Sequence, residues 1–262
     1  MFKFRSISAR LIVAISVIIT ATCAGLGTFS AVQQQSVTRL ALDQQLKLQY
    51  NSVIASIEYE GRAALSVSSV VAALPPVADA ISKDDRESVL ALLGPAQTAL
   101  KATGMPLFNI VLPPAINFLR VHDPKNFGDD MSGRRGTIVA ANKTGQPVVG
   151  VEPGRDTLSI FAMTPIMRDG KSIAVVDIGV TFGKEFVDRA KQRFGVDLIV
   201  QRLDGGVFKT LASTLGDTPV ATQSELQSAF DGTTIRRDAE VGGHPAAIYI
   251  GRSRITPASP SR

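Results

Sequence analysis

The spacing of hydrophobic positions changes several times along the chain. No charged side chain occurs from Leu11 to Thr38, and Leu11–Ala31 (LIVAISVIITATCAGLGTFSA) is apolar or small throughout, long enough to cross a bilayer as one helix. From Val32 to about Val70 the apolar residues Val37, Leu40, Leu46, Tyr50, Val53, Ile54, Ile57 and Leu65 recur mostly at helical steps, with Gln and Ser between them. A long amphipathic helix is predicted there, and its narrow seam suits packing against its own domain as well as against a twin helix in a dimer. Pro75-Pro76 breaks the chain. A second helical stretch is predicted from Val77 to Ala102, where Asp84, Asp85 and Glu87 suit an N-terminal turn if the helix restarts, and Gly104 ends it.

Beyond Gly104 the period shortens. Leu107–Leu112, Phe118–Val121, Gly136–Ala141, Gln146–Val151, Thr157–Ile166 and Ser172–Val180 are β-rich runs. Turn formers such as Asn142-Lys143-Thr144-Gly145 and Arg168-Asp169-Gly170-Lys171 separate several of them. The expectation is an antiparallel sheet with helices on one side, an α+β architecture. After Gly183 the same order restarts on a smaller scale. A helix is predicted over Glu185–Phe194, strands over Val196–Leu203 and Val207–Leu211, a short helix over Ser224–Phe230, and a hairpin of Thr233–Ala239 with Ala246–Arg252. This second unit is one strand short of a sheet like the first.

Charge then orients the chain. Lys3, Arg5 and Arg10 precede the apolar segment and the first acid, Asp43, follows it, so residues 1–10 are expected in the cytoplasm and the bulk beyond Gln33 outside a bacterial inner membrane. A cleaved signal peptide shares the basic start, but its apolar core spans about 7–15 residues. No clean small-x-small site precedes the glutamines, and Thr20-Ala21-Thr22 before Cys23 lacks the aliphatic residues of a lipoprotein site. The sole cysteine, Cys23, lies in the apolar segment, which excludes a disulfide framework and cysteine chemistry in the soluble part. The net charge of +5 is interleaved with acids and there is no tryptophan, so no nucleic-acid surface is expected.

Candidate chemistry is sparse. His122 and His244 lie far apart, giving neither a metal cluster nor a Ser-His-Asp arrangement; no metal, cofactor or catalysis is expected. Gly128-Asp129-Asp130 lacks the alternating donors of a calcium loop, and Gly133-Arg134-Arg135-Gly136 lacks the strand-to-helix context of a phosphate loop. The group Arg120, His122, Asp123 and Arg135 carries more, because two-residue spacing on a strand puts Arg120 and His122 on one face. A guanidinium grips a carboxylate bidentately and an imidazole adds a donor, which suits a carboxylate or amino-acid ligand. Equally, Arg120 pairs with Asp129 or Asp130 and Asp123 caps a turn before Pro124, forming a latch without ligand. Arg155, in the Pro153-Gly154-Arg155 turn, reads either as a ligand contact or as a solvated hairpin residue.

Several segments resemble the double Cache sensory domain of methyl-accepting chemotaxis proteins and some sensor histidine kinases. They are F-L-R-V-H-D-P (Phe118–Pro124), F-G-D-D-M-S (Phe127–Ser132), Arg135, the run from Ala141 to Arg155, and P-I-M-R-D-G-K (Pro165–Lys171). Weaker likeness continues through R-F-G-V-D (Arg193–Asp197) and Leu203–Thr214. The resemblance implies a PAS-like pocket that closes on a small molecule and shifts the stalk helix, in a homodimeric chemoreceptor. With the patterns above, the expected division is an anchor over 11–31, stalk and membrane-distal Cache domain over 32–182, an incomplete membrane-proximal unit over 183–252, and a tail over 253–262. Members of that family often carry a basic residue where Phe161 stands, which implies a more apolar pocket here. They also continue into a second membrane helix, a HAMP linker and methylation helices. Read in another frame, the codons for Arg254–Arg262 can encode a turn and strand opening that suits the family after Ile248-Tyr249-Ile250. A frameshift near Gly251–Arg254 and a truncated receptor are therefore expected. A histidine kinase or cyclase input domain and a stand-alone membrane-anchored binding protein are the alternatives.

Overall fold

A computed structural model of the protein describes residues 7–154 and 158–253. The expected basic start, Lys3 and Arg5, the candidate Arg155 and the tail beyond Ser253 lie outside the described residues. Helix α1 runs over Ile7–Ala72. Residues up to Leu48 belong to one compact unit and those from Gln49 onward to a second. In the first unit Val17, Ile18 and Ile19 are exposed at consecutive positions, so apolar side chains surround the helix. The hydroxyls of Thr20 and Thr22 donate to the carbonyls of Ser16 and Ile18, each at 2.8 Å, which satisfies them without solvent. Among the described residues no single helix is long and apolar enough to cross a membrane; Ala14–Ser30 is a shorter apolar stretch.

In the second unit α1 ends before Pro75-Pro76, and α2 (Pro75–Ser82) and α3 (Arg86–Ala102) follow. The stretch expected over Val77–Ala102 is thus two helices. The break falls at Asp84, whose φ of 56° is left-handed, and Asp85 caps α3 by accepting from Ser88 N–H at 2.9 Å. Five strands then form one antiparallel sheet in the order β2-β1-β5-β4-β3. They are β1 (Leu107–Leu112), β2 (Ile116–Arg120), β3 (Val148–Pro153), β4 (Leu158–Arg168) and β5 (Lys171–Thr181). On one face Phe108, Ile110, Ile160, Ala162, Val176 and Ile178 pack against Val53, Ile57, Ala64, Val77, Val89 and Leu93 of the three helices. At Gly61 an added Cβ would meet Val149 at 3.0 Å, so glycine lets α1 lie close against the sheet.

The opposite face is covered by the segment between β2 and β3, including α4 (Gly136–Thr144). Val111, Met131, Ile138, Ala141, Phe161, Met163 and Val175 form a second buried cluster there. With both faces covered, β4 and β5 read as nearly unbroken apolar runs. The strand expected over Gly136–Ala141 is helix α4 instead. Thr137, Ile138 and Val139 favour a strand intrinsically, but Thr137, Ile138 and Ala141 share a helical face that is buried against the sheet. Left-handed Gly145, at φ 67°, closes the helix.

The C-terminal part contains α5 (Lys184–Phe194), the hairpin β6 (Ile199–Asp204) and β7 (Val207–Ser213), α6 (Gln223–Phe230), and the hairpin β8 (Ile235–Val241) and β9 (His244–Ile250). The two hairpins are separate two-stranded sheets. Helix α6 begins with a reciprocal cap in which Glu225 N–H donates to Thr222 Oγ1 and Thr222 N–H donates to Glu225.

Candidate functional site

The face of the sheet under α4 carries the charged groups. Strand alternation and register place Arg120, Asn109, Asp177 and Met163 side by side across β2, β1, β5 and β4. The next row is Leu107, Gly179, Phe161 and Gly150, and beyond it stand Thr181, Ser159 and Glu152. Such a face normally buries only apolar groups, so each ion on it needs a partner.

Arg135 supplies one. It stands immediately before α4 and is 2% exposed, with Nε donating to Glu152 at 3.0 Å and Nη2 donating to Asp177 at 2.8 Å. Its guanidinium carbon lies 3.4 Å from the Phe161 ring centroid. Gly179 makes that ring position accessible, because a Cβ there would fall 2.6 Å from Phe161 Cε1. Glycine, ring and guanidinium are therefore stacked in that order on the sheet. Asn109 Nδ2 donates to the other oxygen of Asp177 at 2.9 Å. Glu152 also accepts from Thr137 N–H at 2.8 Å and from the Thr137 hydroxyl. Since α4 has no side-chain cap of its own, Glu152 caps it from the neighbouring strand and complements its dipole. Among the described residues two carboxylates face this one guanidinium, a formal excess of one acidic group. Ser159 Oγ, on the same face, is fully buried without a hydrogen-bond partner among the described residues.

The six sequence candidates divide. Arg135 and Phe161 come together at the centre of the site. Arg120 lies on the same face, but its guanidinium donates to Asn126 O and to Asp129, both at 2.7 Å. The Arg120 guanidinium holds the Asp129 carboxyl below the usual carboxylate range. Strand β2 ends at Arg120, so the strand spacing does not extend to His122, which sits in the following turn. Its Nδ1 accepts from Phe108 N–H at 3.1 Å, and burial pushes the imidazole pKa down. Asp123 closes the turn by accepting from Asn126 Nδ2 at 2.7 Å. Sequence reasoning missed Glu152, Asp177, Asn109, Thr137 and Ser159. Asp177 had left a signal as the single charge within the apolar run Ile173–Val180. Among the described residues no group of three or more His, Cys, Asp or Glu side chains is placed to hold a metal ion.

Residues 39–249 match the family described as the double sensory domain of two-component sensor kinase, and the chain belongs to that family of extracytoplasmic ligand-sensing domains. No curated protein sequence matches the chain. Among solved structures, the sensor domain of the Vibrio cholerae histidine kinase DctB superposes with a TM-score of 0.52 at 9% identity, covering 72% of this chain and 74% of that one. The ligand-binding domain of the Campylobacter jejuni chemoreceptor Tlp3, in complex with L-valine, superposes with a TM-score of 0.50 at 14% identity, over 81% and 88% of the two chains. The periplasmic domain of Vibrio cholerae LuxQ gives 0.46 at 15% identity, over 79% and 99%. At such identities the likeness is one of fold.

Proposed function

We propose that this chain senses a small molecule between α4 and the five-stranded sheet and relays its binding through α1 across a bacterial inner membrane, binding without catalysis. The observation that carries the reading is the buried polar cluster of Arg135, Glu152, Asp177 and Ser159, the last without a partner among the described residues, beneath a short helix. A face made only for packing has no use for an unpaired hydroxyl and a net charge. The anchor in this reading is Leu11–Ala31, apolar on all sides and preceded by Lys3, Arg5 and Arg10. The soluble bulk is periplasmic, and α1 pairs with its counterpart in a homodimer. The ligand-binding residues are Arg135 and Phe161 with Asp177 and Glu152, and Arg120, His122 and Asp123 shape the covering loop.

The output is that of a methyl-accepting chemotaxis receptor, for which the Tlp3 fold with bound L-valine is a precedent. A second output, a two-component kinase, is favoured by the family's description. Titration calorimetry on the full chain in detergent, with amino acids, amines and carboxylates, tests the sensing function. Binding that Asp177→Asn weakens at least about tenfold supports it, whereas saturable binding indifferent to Asp177→Asn and Phe161→Leu removes the site from this face. Fusing residues 1–253 to a chemoreceptor or a kinase output, and asking which responds to the ligand, separates the two.

A further inference from the structure

We propose that Arg135 is a tethered occupant of the sensing site, and that the ligand carries a cationic amine or guanidine that takes its place between Glu152 and Asp177. The inference rests on the sensing function proposed above and adds the charge class of the ligand and the way the free site is held shut.

The charge count favours a cation. Glu152 and Asp177 are 3% and 0% exposed, and among the described residues Arg135 alone is ion-paired with them. A carboxylate entering the site would meet two buried acids whose guanidinium is already committed, a repulsion that low dielectric enlarges. A cation entering as Arg135 leaves keeps the count unchanged. The floor suits it too, since the Phe161 ring presents its face to the guanidinium at 3.4 Å and attracts any ammonium or guanidinium seated there. Ser159 Oγ, buried and without a partner among the described residues, stands in the row of Glu152 and offers an acceptor that Arg135 does not use. A ligand nitrogen with one more N–H than Arg135 brings to this site would satisfy it.

The occupant is also a fastening. Arg135 is the residue on which α4 begins, and Glu152 holds both its Nε and the first turn of α4. Replacing the guanidinium from outside removes the Arg135 ties to β3 and β5, leaving Thr137 to hold the first turn of α4 on Glu152, while the cluster keeps its charge. The apparent affinity of wild type for a cation is then reduced by the fraction of time Arg135 is out.

Truncating Arg135 tests this on the full chain in detergent. Arg135→Ala removes the equivalent of ethylguanidine, so ethylguanidinium chloride is the probe, with sodium propionate at equal ionic strength as the anion control. Ethylguanidinium is expected to raise the Tm of Arg135→Ala by about 3 °C or more at saturation, and to bind it at least about tenfold more tightly than wild type. Both effects should vanish in Arg135→Ala/Asp177→Asn. If alanine prevents folding, Arg135→Lys keeps the charge but cannot make both bonds, and should bind the probe at least about threefold more tightly than wild type. No gain in either variant, or an equal rise with propionate, overturns the proposal. A carboxylate that binds wild type and is lost in Asp177→Asn also overturns the cationic class while leaving sensing at this face intact. A ligand whose affinity ignores both Asp177→Asn and Arg135→Lys overturns the sensing site itself.

Discussion

The five-stranded sheet and the C-terminal part are assembled from the same pieces with different outcomes. In the first, hairpin β1–β2, helix α4 and strands β3 and β4 are followed by β5, which pairs with both β1 and β4 and makes one sheet. In the second, hairpin β6–β7, helix α6 and hairpin β8–β9 appear in the same order, but no described strand joins the hairpins. The cost is visible in burial: Ala174–Val180 of β5 are all buried, whereas no residue of β6 is. Two-stranded hairpins are marginal by themselves, and a central strand covered on both faces is what turns two of them into a core.

This contrast can be broken from the strong side first. Asp177→Ala leaves Arg135 buried with half its partners and should cost about 3–5 kcal/mol of the sheet's stability, measured by chemical denaturation. Ile178→Ala, in the dry face of β5, should cost about 2–5 kcal/mol, while Val200→Ala at a half-buried position of β6 should cost under about 1 kcal/mol. Comparable costs at the two positions would erase the distinction. Gly179→Val drives the Phe161 ring off β5 and should cost about 1–3 kcal/mol. Hydrogen exchange should report β5 amides opening last and those of β6 and β9 opening early.

The smallest effects separate the two parts by pH. Burial lowers the folded-state pKa of His122, so the unfolded chain takes up the proton first as pH falls. The stability it contributes is present above about 6.5 and is lost as pH falls toward the folded value. A gentle fall in Tm below neutrality should be flattened by His122→Asn. In the C-terminal part the Arg237 guanidinium and the Thr222 cap lower Glu225 from 4.5 to about 2. Its contribution is present above about 4.5 and lost as pH falls through about 2, and Glu225→Gln should cost about 1 kcal/mol or less near neutrality. A Tm profile in which Glu225→Gln flattens the neutral limb instead would reverse the assignment.

Sequence legibility follows the same division between local and distant causes. The bounds of β1, Leu107–Leu112, were readable because Gly104 and Pro113-Pro114 punctuate an apolar run. Helix α5 was readable from its apolar face and from Gly195 at its end. Helix α4 was not, since what favours it lies far off in sequence: burial of its Thr137, Ile138 and Ala141 face against the sheet, and the cap from Glu152 fifteen residues beyond Thr137. The site was half legible for the same reason. Arg135 stood out as a basic residue in a family-like segment, but its partner Asp177 lies 42 residues further along the chain. Arg120 was equally prominent and differs only in having Asp129 nine residues away in the covering loop. Periodicity assigns residues to faces, and it does not assign partners to charges.

Gly61 has a mechanical meaning. It is the place where α1 has no side chain and Val149 and Ile160 close in on its backbone. Sliding the helix by one turn, about 5.4 Å, would bring Ile57 or Leu65 to the same spot, where neither fits. The glycine is thus a keyway cut in a shaft: it forbids stepwise axial travel and permits small rotations and tilts about one fixed point. In the signalling route proposed above, movement of α1 would pass as rotation about Gly61, and a bulkier residue at that position would block it without touching the site.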